Sequence, residues 1–364
     1  MSKRAIISWL VASLFLLGCE KPAPVTTQVT DAQAPAIEWR LVTSWPKNLP
    51  GLGMAPERFA QLVKSMSNGR LVIHVYGAGE IMPALAVFDG VSSGTVEMGH
   101  SAPYYWKDKV PAVQFFSSIP FGMNAEQMNT WLHHGGGLEL WQEVYAPFDV
   151  IPMAGGNTGM QMGGWFKKPI NSPEDFKGLK MRLPGIGGEM LASLGGLATD
   201  DIPGREIYSA LQTQQIDAAE WVGPYNDKPL GLYQVAKYLY YPGWHEPSSN
   251  MEFIINQSAY QDLPKDLQVI VRVAARAINE DMLSDYTHGH IEALDELVNQ
   301  HGVIVKPFPQ SVITALRSVR DDVLLSQAEQ DPMFNKVLKA YLESEIKLKR
   351  YYGYTHNALE KYAQ

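Results

Sequence analysis

The chain has 364 residues, a formal net charge of −8 and 46% apolar residues, which is ample for more than one hydrophobic core. A mildly acidic chain without basic clusters argues against nucleic acid as a partner. Its single cysteine, Cys19, excludes an intrachain disulfide framework and any zinc site built on paired cysteines.

Lys3 and Arg4 precede thirteen mostly apolar residues, Ala5 to Leu17, and then Gly18-Cys19. A charged start, an apolar run and a small residue at the cut site read as an export signal. As a helix the run would rise only about 20 Å, short of the ~30 Å hydrocarbon core of a bilayer. Residues 1–19 resemble a lipoprotein signal peptide, so Cys19 is expected to be the lipidated first residue of a periplasmic protein tethered to a membrane. An ordinary signal peptide with an incidental cysteine is the alternative. Loss of Lys3 and Arg4 would move the formal charge to −10. Residues 20–36, rich in Pro, Ala, Thr and Gln, predict an extended linker.

The folded part is expected to begin at Ile37. Trp39 to Ser44 alternates like a strand, Ala55 to Ser67 has helical spacing at Phe59, Leu62, Val63 and Met66, and Leu71 to Tyr76 is a second strand. Such alternation predicts a mainly parallel sheet covered by helices, with ligands beyond the C-terminal strand ends. An internal echo follows. Phe88 to Ser101, and then Ala102-Pro103-Tyr104-Tyr105-Trp106, parallels Tyr208 to Trp221 and Val222 to Tyr225 at an offset of 120. Both read as helix, tight turn, short buried strand, then a polar and aromatic loop. Two similar domains would then share a cleft, with His100 and Ser101 on one side and Glu220 and Trp221 on the other.

Catalytic motifs fail on context. Gly90-Val91-Ser92-Ser93-Gly94 fits G-x-S-x-G but lies in helix-turn-strand order, the reverse of a nucleophile elbow. In Gly185-Ile186-Gly187-Gly188 a methionine, Met190, takes the third glycine position of a dinucleotide loop, so these glycines are expected to let backbone approach a ligand or the other domain. His288 and His290, two apart on a helix, do not share a face and read as solvated. His133-His134 reads as a helix end.

Recognition chemistry concentrates in three segments. Gly155 to Trp165 is rich in Gly and Met, with Asn157 and Gln161 as its main polar handles. Lys180-Met181-Arg182-Leu183 reads as a strand closed by Pro184-Gly185, which puts Arg182 at the strand end. A guanidinium there can hold a carboxylate through two parallel hydrogen bonds. Glu220 and Glu246 lie among alanine, aromatic and proline neighbours, where a carboxylate is costly unless paired.

These segments identify the chain as resembling the extracytoplasmic solute receptors of TRAP transporters, the DctP family. The match spans about Ile37 to the C-terminus and rests on Asp89 to Gly99, Phe176-Lys177-Gly178-Leu179-Lys180-Met181-Arg182 and Leu211 to Trp221. Gly155 to Trp165, Glu220-Trp221-Val222-Gly223-Pro224 and Trp244-His245-Glu246-Pro247 look most like the TakP-type receptors for 2-oxo monocarboxylates. The resemblance implies a two-domain, periplasmic-binding-protein-like α/β fold with an interdomain ligand cleft, crossing strands and a long helix. It divides the chain into domain I (37–159 with 249–290), domain II (160–248 with 291–330) and a long C-terminal helix (331–364).

The resemblance also implies a receptor, not an enzyme, that captures a 2-oxo acid such as pyruvate, or a related hydroxy acid, and delivers it to the TRAP membrane subunits. Arg182 would bind the substrate carboxylate, with Gln161, Trp221, Asn157, Ser101 and Tyr104 around it. Gln161, Glu220, Trp221 (through its backbone carbonyl) and Glu246 would hold a metal cation. Like-charge repulsion between a bound carboxylate and two glutamates supports a cation independently, and oxygen ligands favour a hard ion, Na+ or Ca2+. Three other readings stay open: a receptor for another carboxylate, a secreted lipoprotein enzyme using Glu220 and Glu246 in acid-base work, and an envelope interaction protein with an idle cleft. Finally, Phe334, Val337, Leu338, Tyr341, Leu342, Leu348, Tyr351 and Tyr352 recur at near-helical spacing. This face needs a cover, either its own chain or, as in TakP-type receptors, a homodimer partner.

Overall fold

A computed structural model describes residues 35–362; the leader, Cys19 and most of the linker lie outside the described residues. The strands, in chain order, are β1 (Ile37–Thr43), β2 (Leu71–Tyr76), β3 (Met98–Ser101), β4 (Val150–Asn157), β5 (Gly164–Phe166), β6 (Lys180–Arg182), β7 (Leu197–Thr199), β8 (Ala218–Ala219), β9 (Tyr238–Tyr241), β10 (Asn250–Asn256) and β11 (Ile304–Pro307). They build two sheets, ordered β2-β1-β3-β10-β4 and β7-β6-β8-β5-β9-β11.

The echo at offset 120 is real in three dimensions. β3 begins at Met98 and β8 at Ala218, each the third strand of its sheet. In both sheets the first three strands pair in parallel and the third pairs antiparallel with the fourth. The helix before each, Val87–Ser92 and Ile207–Gln212, sits at nearly the same offset. Two β-α-β arrangements therefore present the C-terminal ends of β1, β3, β6 and β8 as loop-bearing rims.

Besides residues 257–303, which lead from β10 to β11 through a long helix, two short segments cross between the sheets: 158–163, from β4 to β5, and 242–249, from β9 to β10. They run side by side. The Gln161 amide donates to the Glu246 carbonyl (3.2 Å) and the Thr158 amide to the Ser249 carbonyl (3.0 Å). The approach is closest at Gly243, where a Cβ would stand 2.1 Å from the Gln161 carbonyl oxygen. The 35-residue helix Lys265–Asn299 packs along β4 and along the helix Ala55–Met66.

The long C-terminal helix spans Pro332–Tyr354 rather than all of 331–364, because the chain breaks at Thr355 before a short helix His356–Glu360, and it folds back on its own chain. Asp331 caps it by accepting from the Phe334 amide (2.7 Å). Phe334, Val337, Leu338 and Tyr341 are buried. Phe334 meets Phe115 at 4.7 Å between ring centres, Tyr341 meets Trp131 at 5.2 Å, and the Tyr341 hydroxyl accepts from the Met123 amide. Much of the apolar face for which a homodimer was one expected cover is thus covered within the chain, while Ile346, Tyr351 and Tyr354 remain exposed.

Two smaller expectations are met in part. Only His288 is solvated; the His290 ring accepts from the Tyr225 amide (3.2 Å) and is mostly buried. Gly187 and Gly188 admit close packing of the helix Gly185–Ser193 against His245, Leu183 and Ala198, whereas Gly185 is the glycine that approaches the other half, where a Cβ would stand 3.5 Å from Gln114 and 3.7 Å from Tyr104.

Two outcomes follow. Phe334→Ala should destabilise the protein by about 3–5 kcal/mol, the usual cost of emptying a buried phenylalanine site. Chemical denaturation measures it, and a change below about 1 kcal/mol would show that the helix is not part of this core. Gly243→Ala should force the crossing segments apart, lowering both melting temperature and ligand affinity. An unchanged variant by both measures would deny that this contact is needed.

Candidate ligand and cation site

Arg182 ends β6 and is 1% exposed. Both faces of the sheet are covered at this point, although Lys180 two residues earlier is exposed. Its Nη1 donates to the Glu220 carbonyl oxygen (2.7 Å) and to Glu220 Oε2 (3.3 Å). Nη2 has only a long contact with the Tyr105 hydroxyl (3.4 Å), and Nε has no hydrogen-bond partner. Nε–H and one Nη2–H point along the same edge of the planar guanidinium. The protein therefore spends one donor group of Arg182 on Glu220 and leaves the two-pronged edge open, the geometry that grips a carboxylate. The guanidinium also lies 5.1 Å from the centre of the Trp221 ring.

Three other side chains converge here. Glu220, His245 and Glu246 are buried, with ligand atoms all within 4.8 Å of one another. Glu220 Oε1, Glu246 Oε2 and both nitrogens of His245 lack hydrogen-bond partners, as do Gln161 Oε1 and Trp221 Nε1. Buried polar atoms are nearly always paired, so this concentration marks a site completed by something other than the protein. Gln161 donates to Thr158 Oγ1 (3.1 Å), which leaves its carbonyl oxygen as the free end.

The charges do not balance. Loss of hydration raises Glu220 to about 7 against the opposing pull of Arg182. Burial, and then repulsion from Glu220, raise Glu246 to about 7. Burial lowers His245 to about 4, so the imidazole is neutral and its 3.6 Å approach to Glu220 is no ion pair. When both glutamates are ionised, Arg182 is the only opposing charge within the cluster, and a bound monocarboxylate would deepen the excess. A hard cation fits the donor set of two carboxylates and an amide oxygen.

The remaining sequence candidates are placed unevenly. Ser44 Oγ donates to the Ala84 carbonyl and stands 2.6 Å from Ser101 Oγ, so the Ser101 hydrogen is committed to Ser44. Asn157 Oδ1 accepts from the Gly159 amide (2.8 Å), while its buried Nδ2 has no partner. Tyr104 is buried beside Tyr105, near enough to feel the charges of Glu246 and Arg182. His100 is not a cleft residue: Nδ1 accepts from Trp45 Nε1 (2.8 Å) and Nε2 donates to the Gly155 carbonyl (3.0 Å). Sequence reasoning missed Tyr105 and His245. Each adjoins a residue it did select, and only the loop geometry decides which neighbour faces inward.

This fold and site define a two-domain binding protein that closes a buried polar site between its halves. Residues 41–331 match the family described as bacterial extracellular solute-binding protein, family 7 (DctP), and the chain belongs to that family. It is 43% identical over 330 residues, 91% of this chain and 89% of the other, to the monocarboxylate 2-oxoacid-binding periplasmic protein of Nostoc sp.. Two crystal structures of TRAP periplasmic solute binding proteins are also similar. That from Pseudoalteromonas atlantica, with bound sodium and pyruvate, is 42% identical (TM-score 0.87), and that from Colwellia psychrerythraea, with bound calcium and pyruvate, is 43% identical (TM-score 0.87). Each comparison covers 90% of this chain and 99% of the other.

A pH dependence follows from the carboxyl groups. Their folded-state values lie above the ordinary 4.5, so the folded protein keeps protons that the unfolded chain has released. That contribution is fully present below pH 4.5 and is lost as pH rises through about 7. Chelator-treated, ligand-free protein should therefore melt at a lower temperature at pH 8 than at pH 5, and Glu220→Gln should flatten the difference. Equal slopes in the two proteins would remove Glu220 as a source.

Proposed function

We propose that this protein is a TRAP solute receptor that captures a 2-oxo monocarboxylate of the pyruvate type together with sodium or calcium, and hands it to the membrane subunits of the transporter. The observation that carries this reading is the open Nε/Nη2 edge of Arg182 beside two undercompensated buried carboxylates. The substrate carboxylate would take that edge. Gln161, Glu220, Glu246 and the Trp221 carbonyl would hold the cation. A 2-oxo acid presents oxygens on adjacent carbons, a chelating pair for one hard ion, and the ion would neutralise the charge that burial makes costly. The pyruvate found with sodium or calcium in similar proteins supports the same chemistry.

Asn157, Ser101 and Tyr104 would line the substrate, with Tyr105 and His245 joining them on the evidence of geometry. The division into domain I (37–159 with 249–290) and domain II (160–248 with 291–330) is supported by sheet membership, since β1–β4 and β10 form one sheet and β5–β9 and β11 the other. Lipid anchoring through Cys19 belongs to the same reading and rests on sequence. A homodimer through the long C-terminal helix would use what that helix leaves outside, including Ile346, Tyr351 and Tyr354.

Titration calorimetry with pyruvate tests the reading. Arg182→Met should weaken binding by at least a hundredfold, since each hydrogen bond to a charged group contributes roughly 1.5–3 kcal/mol and two are lost. Removal of sodium and calcium should weaken binding in the unaltered protein. Near-native affinity in the variant would reject the role of Arg182, and affinity indifferent to both cations and chelator would reject the cation.

A further inference from the structure

Asp227 lies in the short helix Pro224–Asp227 and is 1% exposed, with no ion-pair partner among the described residues. Three N–H groups point at it instead. Oδ2 accepts from the Trp165 indole on β5 (2.7 Å), while Oδ1 accepts from the backbone amides of Val222 (3.3 Å) and Gly223 (3.0 Å). A buried carboxylate is a costly way to cap two loop amides, since its charge must leave water.

The amide of Val222 belongs to the peptide that follows Trp221. In a trans peptide the N–H and the preceding C=O point in opposite directions. Drawing the Val222 N–H toward Asp227 therefore turns the Trp221 carbonyl away from it. That carbonyl accepts no hydrogen bond among the described residues, whereas its neighbours are engaged: the Glu220 carbonyl by Arg182 and the Val222 carbonyl by the Met162 amide (3.1 Å). We infer that Asp227 is a positioning residue, which fixes the Trp221–Val222 peptide so that the Trp221 carbonyl is held free and aimed as a cation ligand. This rests on the cation reading of the site and assigns the residue that orients one of its oxygens.

The test is calorimetric titration of full-length protein with pyruvate across a series of calcium concentrations. In Asp227→Ala the calcium concentration for half-maximal pyruvate binding should rise at least tenfold, while pyruvate affinity at saturating calcium changes by less than about threefold. Trp165→Phe removes the indole donor but leaves both amides on Oδ1. It should lower the melting temperature and keep the calcium midpoint within about threefold of the unaltered protein. If Asp227→Ala does not fold, Asp227→Ser serves in its place, since one short hydroxyl cannot replace the carboxylate's three contacts. Equal loss of pyruvate affinity at limiting and saturating calcium, or a midpoint shift in Trp165→Phe as large as in Asp227→Ala, makes Asp227 a structural residue and overturns the inference. Pyruvate binding by the unaltered protein that is indifferent to calcium, sodium and chelator instead overturns the cation reading, and is seen before any variant is made.

Discussion

Two carboxylates and one guanidinium buried within a few ångströms of each other set the terms for everything around them. Taking such charges out of water costs several kcal/mol apiece unless each finds compensation. Arg182 compensates Glu220 only in part, through one nitrogen, and Glu246 has no cation of its own. An arrangement of this kind is tolerable when the missing charge and the missing hydrogen bonds arrive from outside. The site is thus poorly matched to itself and well matched to a carboxylate carried with a cation. Selectivity follows from the same mismatch, because a neutral solute would offer the guanidinium edge no charged pair of oxygens to accept both of its hydrogen bonds.

The architecture serves this cluster from two directions. Strand ends deliver Arg182 and Glu220, as expected where parallel strands finish. The crossing segments deliver Gln161, His245 and Glu246, so part of the site sits on the connections themselves. Any change in the angle between the sheets must be taken up by these segments and by the third connection, which carries the helix Lys265–Asn299 from β10 to β11. Ligand atoms held there sense that angle directly, whereas atoms on an outer loop would sense it only through intervening structure.

Much of this was legible in the sequence. Alternation and helical spacing located β1, β2 and the first helix within a residue or two, and an echo of few identities marked the third strand of both sheets. Arg182, Glu220 and Glu246 stood out because a charge amid apolar residues demands a reason. What stayed hidden depends on three-dimensional capture. His100 adjoins the cleft in sequence yet is claimed by Trp45 and Gly155. His290 is held by an amide 65 residues away. The amphipathic pattern of the long C-terminal helix states that its face is covered but not by what, and Phe115 and Trp131, which cover it, lie some 200 residues upstream.

The order of strands in the first sheet has a further consequence, for how the chain reaches this state. β10 lies between β3 and β4 and pairs with both, yet it follows β5 to β9 in the sequence. After β4 has been made, almost a hundred residues pass before the strand that joins it to β3 is available. Until then β3 and β4 each keep an unpaired edge, and closing the gap demands a long loop with its entropic cost. The first sheet cannot be completed before most strands of the second exist. Assembly is therefore nested: the half that begins the chain finishes late, and damage to the later half is felt in both.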